Sequence, residues 1–517
     1  MIEIHLDGTR LEKDRPLTLQ ELLPERNPGT TVAVIRPTEG ALAETRNIRL
    51  YTTAGEVVVE LTKAGLKLAK DGVFNVFFES AQGAECYSLG WADRYTAAFG
   101  PCTSSIKPAR KTSRYSKDDV ILGCGGYDPT RTYLIFSRMD HIADHGAAAD
   151  GGVVGQVVSG RSVLNEWSRG DSITRVERVF SWTDQSISFT TSDGDQVIED
   201  GMHLITHVRA IAEGYAQDEI DTGTAESVEH LLITLEEGVF SVGRAASTHI
   251  RDESMIRTDV PAELQSARLE GTITARTEGK SRGCVYIYTT DIPSSASHTM
   301  VGRVTHGIEL VKLAKEKDLL TVMVTPERLD LLGYRVQDAR EVAVKRGFLL
   351  EPDTDEIERI IVGQDPGTTL EVLAAGKATV TTRAPSQVIE IRLDNEAAPV
   401  TCDIFREVTG LKQHKVGALP LYFHFEDVYL FKPPIKTGTK INLENIPEGE
   451  VPANSLAMTN DSRKGSGLVG VRTSANREFG PTSEPFGGTN VIGAVLEPEK
   501  LKECKEGELV FIKEVRG

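Results

Sequence analysis

Three cysteines stand close together in the first quarter of the chain, and a cysteine thiolate is a metal ligand. They are Cys86, Cys102 and Cys124. Thiolates at dispersed spacing can ligate an iron–sulfur cluster, sometimes with ligands completed by another subunit. A free cysteine is also a common small buried hydrophobe, and this spacing matches no ferredoxin run. The sequence therefore predicts a candidate metal site at Cys86, Cys102 and Cys124, and the cofactor would be an iron–sulfur cluster shared with partner subunits.

Two histidines, His203 and His207, are spaced four residues apart, which places both imidazoles on one face if the segment is helical. Such a pair can bind a metal ion, but the glutamate and third ligand of a zincin are missing. Partly exposed helix residues are the favoured interpretation. Asp221-Thr-Gly223 has the letters of the aspartic-protease triplet without a preceding apolar strand, which favours a loop turn. Gly123-Cys-Gly-Gly126 lacks the spacing and the lysine of a P-loop and also indicates turns.

A local plan that is repeated along the chain must position these residues. The first copy uses residues 132–136, 151–160 and 162–167, and the second uses residues 284–288, 298–307 and 308–314. Each copy is predicted to fold as strand, loop, strand, turn and helix. A third copy, at 467–495, keeps the strands but replaces the turn. Alternating strand patterns precede the copies, which is typical of half-buried antiparallel strands.

Length and composition limit the class of protein. A chain of 517 residues exceeds what one hydrophobic core usually serves, so several domains are expected. The formal net charge of −18 argues against a broad nucleic-acid-binding surface. Neither a signal peptide nor an apolar run long enough to cross a membrane is apparent. The six cysteines contain no CxxC pair, and a reducing cytoplasm is the simplest compartment.

Three parts of the sequence resemble cyclophilins. Residues 298–311 resemble the run in which a loop histidine precedes a V-V-F-G-x-V strand. Residues 389–399, followed by Phe405, resemble the cyclophilin opening. Residues 456–460 and 466–471 resemble the L-S-M-A-N and N-G-S-Q-F-F-I region. The resemblance implies a multi-domain α+β protein built predominantly of antiparallel cyclophilin-like β-barrels.

Two smaller modules complete the predicted organisation. The N-terminal residues suggest a ubiquitin-like β-grasp unit that resembles sulfur carriers, but the chain continues past the point where a carrier ends in Gly-Gly. Residues 339–347 have helical spacing with a glycine stop, and with the following residues they resemble a PASTA-like unit. The predicted domains are a β-grasp unit (1–46), a first barrel (47–182), a second barrel (183–332), a PASTA-like α+β unit (333–382) and a third barrel (383–517).

The cyclophilin resemblance suggests prolyl isomerisation as a reaction to consider. Cyclophilins use an arginine on an F-H-R strand, a loop histidine and apolar walls, and the arginine stabilises the twisted amide. His298 matches the loop histidine, but the second copy lacks an F-H-R strand. The third copy offers only Phe423-His-Phe-Glu426, with a carboxylate in place of the guanidinium. The sequence therefore predicts a protein that is not an enzyme.

The order of these modules, with residues 32–37, 86–91 and 99–101, resembles the methanogenesis marker protein 3 family along the full length. That resemblance implies an archaeal protein of the ATP-dependent system that activates methyl-coenzyme M reductase by reducing its nickel cofactor. The implied partners are methyl-coenzyme M reductase and other methanogenesis marker proteins. Barrels without complete catalytic sites can still grip several partners at once, which favours a non-catalytic scaffold or adaptor. The alternative is a peptidyl-prolyl isomerase or a chaperone-like peptide binder.

Overall fold

The computed structural model describes residues 1–36, 47–70, 87–179, 188–216, 220–436, 438–462 and 467–515. Strands dominate these residues and helices are few and short. The chain divides into two compact units, Met1–Arg328 and Leu329–Gly517. Across the described residues, every helix is too short or too polar to cross a lipid bilayer.

The first unit begins with a hairpin. Its elements up to residue 36 are β1 (Ile2–Leu6), β2 (Thr9–Lys13), β3 (Leu17–Thr18), α1 (Leu19–Leu22) and β4 (Val32–Ile35). Asp7 and Gly8 form the turn between β1 and β2, and both have positive φ, as a tight antiparallel hairpin requires. Thr18 and Glu21 form a capping box that starts α1. The predicted order of hairpin, helix and strand is present, and the β-grasp name stays a prediction.

The next part of the first unit is a curled antiparallel sheet, which we call the first half-barrel. Its elements are β5 (Asn47–Thr52), β6 (Gly55–Leu61), α2 (Lys63–Lys70), β7 (Leu89–Ala92), β8 (Thr96–Cys102), β9 (Ser113–Tyr115), β10 (Asp119–Cys124), β11 (Thr132–Ser137), β12 (His141–Ala143), β13 (Val153–Ser159), α3 (Arg161–Glu166) and β14 (Ile173–Val179). The main sheet has the order β14-β5-β6-β13-β10-β11-β8-β7, and an isolated bridge pairs Ser88, which precedes β7, with Ser172, which precedes β14. The rings of Phe99, Phe136 and Trp167 contact one another in its core.

The remainder of the first unit is a second curled sheet, the second half-barrel. The elements after residue 188 are β15 (Phe189–Thr191), β16 (Val197–Ile198), β17 (His203–Ile205), β18 (Val208–Ala212), α4 (Ala225–Thr234), β19 (Val239–Ser241), β20 (Arg244–Ala246), β21 (His249–Asp252), β22 (Thr272–Arg276), β23 (Val285–Tyr288), β24 (His298–His306), α5 (Ile308–Leu313) and β25 (Leu319–Thr325). The sheet has the order β19-β25-β18-β24-β22-β23-β21-β20.

Strands β15 and β17 do not join the second half-barrel. They pair with the N-terminal strands in the order β15-β4-β17-β1-β2. Their apolar side chains complete that small core, in which Leu204 packs with Ile4 and Val34. The boundary predicted at residue 46 therefore leaves out two strands of the N-terminal sheet, because the chain returns to it after the first half-barrel. Sequence periodicity cannot indicate such a distant pairing.

The predicted repeat is present in both half-barrels as strand, glycine turn and helix. Strand β13 leads through Gly160 to α3, and β24 leads through Gly307 to α5. The two glycines have φ of 81° and 82°. A Cβ at Gly160 would lie 2.2 Å from the Glu56 carbonyl oxygen, and one at Gly307 would lie 2.3 Å from that of His207. Both turns therefore need glycine for their backbone conformation and for their space.

The second unit combines a small α+β sheet with a closed barrel. Its elements are α6 (Val336–Arg346), β26 (Leu349–Pro352), β27 (Ile360–Asp365), α7 (Thr369–Ala375), β28 (Lys377–Arg383), β29 (Val388–Leu393), α8 (Pro399–Thr409), β30 (Val416–Phe425), β31 (Val428–Phe431), β32 (Ser455–Thr459), β33 (Val469–Arg472), β34 (Thr489–Val495) and β35 (Leu509–Glu514). Helix α6 ends at Gly347 as predicted. The barrel closes in the order β29-β34-β32-β33-β31-β30-β35. The PASTA-like name of the small sheet stays a prediction.

Candidate functional site

His298, the predicted loop histidine, is the first residue of β24 and not part of a loop. The pairing of β22 with β24 places it opposite Arg276. Its Nδ1 lies 2.9 Å from Thr274 Oγ1, and Arg276 Nη1 donates to its Nε2 at 3.4 Å. Burial, together with the nearby charges of Arg268 and Arg276, lowers the pKa of His298 to about 3. At neutral pH the imidazole is therefore uncharged.

An arginine that the sequence analysis missed shares this face of the second half-barrel. Arg251 lies on β21, and its Nη1 donates to Tyr286 Oη at 3.4 Å. The ring of Tyr286 contacts that of His298 edge-on, with a centroid distance of 4.8 Å. The second copy has no F-H-R strand, as predicted, but His249-Ile-Arg251 of β21 places an arginine in the strand that pairs with β23. Period-two alternation could have indicated the strand that carries Arg251, but not which strands lie beside it.

The His298 face is closed by the chain itself. Ile256 and Ile292 pack over Tyr286 and Tyr288. The exposed fraction is 5% for His298 and 1% for Tyr288. A peptide can therefore reach this face only if the covering segments move.

In the closed barrel, the residues Phe423-His-Phe-Glu426 lie at the end of β30 and in the following turn. Phe423 and Phe425 are exposed, as is the neighbouring Tyr422. Leu509 is also exposed and lies on β35. It pairs with Pro420 of β30, the strand that carries the three aromatic residues. We call Tyr422, Phe423, Phe425 and Leu509 the aromatic row. The side chains of the aromatic row are apolar and exposed to solvent. Glu426 lies in the turn after β30, with φ of 53°.

Two of the three predicted metal-ligating cysteines lie in the core of the first half-barrel. Cys102 of β8 and Cys124 of β10 are both opposite Thr132 of β11, which separates their strands by roughly 10 Å. Cys124 Sγ lies 3.4 Å from Thr132 Oγ1. Both cysteines are 2% exposed and pack among apolar side chains. Cys86 lies outside the described residues, and the iron–sulfur site stays a prediction.

The predicted helix that would carry His203 and His207 is wrong. His203 begins β17, where its ring stacks on His5 at 4.2 Å because β1 and β17 run parallel and pair at these residues. His207 lies just beyond the end of β17. The two histidines therefore have separate surroundings. Asp221-Thr-Gly223 forms a turn as predicted, in which Gly223 N donates to Asp221 Oδ1 at 2.8 Å.

His207 instead meets Asp7 and His306 in a polar cluster that we call the Asp7 centre. Asp7 and His207 follow β1 and β17, and these parallel strands end at the same edge of their sheet. His306 ends β24, which pairs with β18 just after His207. Asp7 Oδ2 lies 3.4 Å from His207 Nδ1, and Asp7 Oδ1 lies 3.4 Å from His306 Nε2. Two long-range strand pairings thus bring these side chains together.

Neighbouring groups hold the Asp7 centre in place. Thr206 donates to Asp7 twice, from its backbone N at 2.8 Å and from Oγ1 at 2.5 Å. Burial opposes the charge on Asp7, but the hydrogen bonds from His207, His306 and Thr206 outweigh it and hold the pKa of the carboxyl well below its usual range. Burial likewise opposes a charged His306, whereas its hydrogen bonds with Asp7 and Glu56 raise its pKa to about 9.

Buried ion pairs connect the two half-barrels around the same region. Arg49 of β5 binds Glu309 of α5, and its Nη1 also lies 3.6 Å from Glu56. Lys312 pairs with Glu270 at 2.9 Å, and Glu270 accepts a hydrogen bond from Ser159. Because buried charges in such a network need their partners nearby, separating the half-barrels would leave these charges without them.

The chain is similar to a family model and to known proteins. Residues 389–515 match a family model described as "Putative peptidyl-prolyl cis-trans isomerase domain". The sequence is 35% identical over 492 residues to a UPF0288 protein of Methanosarcina barkeri, covering 94% of this chain and 92% of that protein. It is 31% identical over 531 residues to a UPF0288 protein of Methanopyrus kandleri, covering 100% of both.

Two solved cyclophilin structures are similar to part of the chain. A cyclophilin-type peptidyl-prolyl cis-trans isomerase of Cryptosporidium parvum is 11% identical, with a TM-score of 0.20, and the match covers 26% of this chain and 99% of that chain. Cyclophilin AquaCyp293 from Hirschia baltica is 12% identical with a TM-score of 0.20, and the match covers 34% of this chain and 85% of that chain.

Proposed function

Because the chain belongs to the UPF0288 protein family, whose matched members come from methanogenic archaea, we propose that it is a non-catalytic scaffold or adaptor in these organisms. The resemblance to methanogenesis marker protein 3 directs the proposal to the cytoplasmic, ATP-dependent activation of methyl-coenzyme M reductase. Its partners would be that reductase and other marker proteins of the activation complex. The barrels would be degenerate cyclophilin-like domains that retain binding surfaces.

The observation that carries this proposal is the closed His298 face. A prolyl isomerase needs its arginine, histidine and apolar wall open to a peptide, because the twisted amide must contact them. Here Ile256 and Ile292 pack against the tyrosines, and His298 is buried. The arginine, the histidine and the apolar side chains are of the types that a prolyl isomerase uses, but they pack as residues of a protein core do. This supports binding at other surfaces over catalysis at this face.

The aromatic row supports partner binding by the closed barrel. Tyr422 is 60% exposed and Phe425 is 61% exposed. Large exposed aromatic side chains are typical of protein–protein contact sites. Several barrels in one chain would bind with effective concentrations in the millimolar range once the first contact forms. A scaffold needs no single strong site under these conditions.

Affinity purification from anaerobic methanogen extract tests the proposal. Full-length tagged protein should recover subunits of methyl-coenzyme M reductase or of its activation complex, identified by mass spectrometry. Tyr422→Ser together with Phe425→Ser should lower that recovery. Val344→Ser is the matched control, because Val344 is 84% exposed on α6, away from the aromatic row. Recovery of the bait alone would contradict the scaffold proposal. Equal recovery with all three proteins would contradict the part that the aromatic row is given in it.

The second candidate function is a peptidyl-prolyl isomerase or peptide binder, favoured by the family model that matches residues 389–515. A protease-coupled peptide assay on the full chain separates the two. The scaffold proposal expects the same rate for wild type, His298→Ala and buffer. Faster isomerisation by wild type would support the alternative. Loss of that rate in Phe425→Ala, but not in His298→Ala, would assign the activity to the closed barrel.

A further inference from the structure

The Asp7 centre has the donor atoms of a transition-metal site. It offers one carboxylate and two imidazole nitrogens, a set that suits zinc and non-haem iron. Within the described part of the chain, Asp7, His207 and His306 are the one group of three such residues whose ligand atoms all lie within 4.8 Å of one another. The scaffold role requires no such cluster.

The distances fit a metal ion between these atoms. Around a tetrahedral zinc ion with bonds of about 2.0–2.1 Å, neighbouring ligand atoms are about 3.4 Å apart. Asp7 lies 3.4 Å from the facing nitrogen of His207 and 3.4 Å from that of His306. Each imidazole nitrogen therefore already lies at a ligand-to-ligand distance from one Asp7 oxygen, which is Oδ2 for His207 and Oδ1 for His306. Small side-chain rotations can set the distance between the two imidazole nitrogens, because the His207 and His306 ring centroids are 5.0 Å apart.

The groups behind the ligands are those that metal sites use for orientation. Glu56 Oε1 lies 2.5 Å from His306 Nδ1, so this nitrogen donates to the carboxylate and Nε2 faces Asp7. Carboxylate–histidine–metal arrangements fix the imidazole in this way. The two hydrogen bonds from Thr206 hold the Asp7 carboxylate, one to each of its oxygens. The orientation of His306 and Asp7 is therefore established before any ion arrives.

We propose that the Asp7 centre binds one divalent transition-metal ion of the Zn²⁺ and Fe²⁺ class through Asp7, His207 Nδ1 and His306 Nε2. His306 binds the ion through Nε2 without a proton on that nitrogen. Asp7 and His306 also line a polar cavity of about 430 Å³, together with Arg175 and Arg209. The cavity leaves room for water or a small anion in the remaining coordination positions, as in zinc sites that keep an open position.

Two contacts must change when the ion binds. Thr206 Oγ1 lies 3.0 Å from His207 Nδ1, the nitrogen that would bind the ion. Arg209 Nε donates to His207 Nε2 at 3.0 Å. A neutral imidazole that ligates through Nδ1 carries its proton on Nε2, so the guanidinium has to turn away. Arg209 is exposed, which leaves it free to move into the cavity. Removal of Arg209 also removes a positive charge near the ion, so Arg209→Ala strengthens metal binding.

Cobalt binding to the full-length, untagged, chelator-treated protein tests the proposal. Titration calorimetry and visible absorption should show one Co²⁺ per chain, with the spectrum of a low-coordinate site. Asp7→Asn and His207→Gln should each weaken binding at least 10- to 100-fold. Glu56→Gln, which acts through His306, should weaken binding in that range while the spectrum keeps its shape. Arg209→Ala should bind Co²⁺ more tightly than wild type.

The matched control is His145→Gln. His141 and His145 form another imidazole pair, with their Nε2 atoms 3.0 Å apart. The control should leave the spectrum and the affinity unchanged. Cobalt binding that is lost in His145→Gln and kept in His207→Gln would overturn the proposal, as would folded wild-type protein that binds no Co²⁺. If Asp7→Asn does not fold, His207→Gln and Arg209→Ala, with opposite expected shifts in affinity, still decide the outcome.

Discussion

Arg49 and Glu309 form an ion pair between β5 of the first half-barrel and α5 of the second, and both side chains are at most 5% exposed. Desolvation makes each charge costly without the other. We expect Arg49→Met to lower the free energy of unfolding by about 3–5 kcal/mol, because it leaves the Glu309 carboxylate buried without this partner. Urea denaturation of the full chain, followed by tryptophan fluorescence, measures the change.

Two further variants check that interpretation. Arg49→Met with Glu309→Leu should recover part of the loss, since an apolar pair can replace a buried ion pair. Arg10→Ala is the exposed control in the same unit, because Arg10 pairs with Glu3 at 59% and 40% exposure. It should change the free energy of unfolding by about 0–1 kcal/mol. Equal effects of Arg49→Met and Arg10→Ala would contradict a buried electrostatic connection.

Gly160 should tolerate alanine less well than Gly126, which lies in the same half-barrel. Both have positive φ, of 81° and 65°, so each substitution carries a backbone cost of about 1–2 kcal/mol. A Cβ at Gly160 also meets the Glu56 carbonyl oxygen at 2.2 Å, whereas a Cβ at Gly126 meets nothing within 4 Å. Crowding should add about 1–3 kcal/mol to Gly160→Ala alone. Thermal unfolding of both variants measures this difference, and equal midpoints would contradict the predicted clash.

His298 should make the protein less stable in mild acid. Its pKa is about 3 in the folded chain because of burial and nearby arginines, whereas an unfolded histidine titrates near 6.5. The unfolded state therefore binds the proton first, and the contribution of His298 to stability is lost as pH falls from about 6.5 toward 3. The loss is about 1.4 kcal/mol for each pH unit in that window. Urea denaturation of wild type and His298→Gln at pH 4, 5, 6 and 7 isolates the contribution of His298. A difference in the free energy of unfolding that stays constant across that series would contradict the prediction.

The thiols of Cys102 and Cys124 should resist alkylation in the native protein, because both are 2% exposed. Iodoacetamide labelling with mass spectrometry, before and after unfolding in urea, measures the protection. An iron–sulfur cluster held with Cys86 would protect the same thiols, so iron is determined on the same anaerobic samples. Iron that disappears in Cys86→Ser and Cys102→Ser, but not in Cys284→Ser, would support the cluster. Iron that is unchanged in all three variants would exclude these ligands.

Local patterns predicted the elements whose causes are local. The strand, glycine turn and helix recur at Gly160 and Gly307 because the alternating apolar residues and the glycine of each turn are close together in the sequence. The stop of α6 at Gly347 has the same origin. These predictions needed no knowledge of distant partners.

The candidate sites were harder to predict because they depend on pairing between distant strands. His203 and His207 are four residues apart, yet the parallel pairing of β1 with β17 makes their segment extended and gives His207 a partner in Asp7. Arg251 and His298 share a face only because β21, β23, β22 and β24 lie side by side. A single sequence carries no signal of which strands are neighbours.

The return of β15 and β17 to the N-terminal sheet sets an order of events during synthesis. Ile4 and Val34 leave the ribosome early, but their core includes Leu204. At about 5–20 residues per second, the first strands wait roughly 10–40 s for the strand that completes their sheet. The first half-barrel is made during that interval. During that interval β1 and β4 lack the strand that lies between them, so their edges are exposed and are a possible binding site for a chaperone. Truncation before residue 203 would leave these edges exposed permanently.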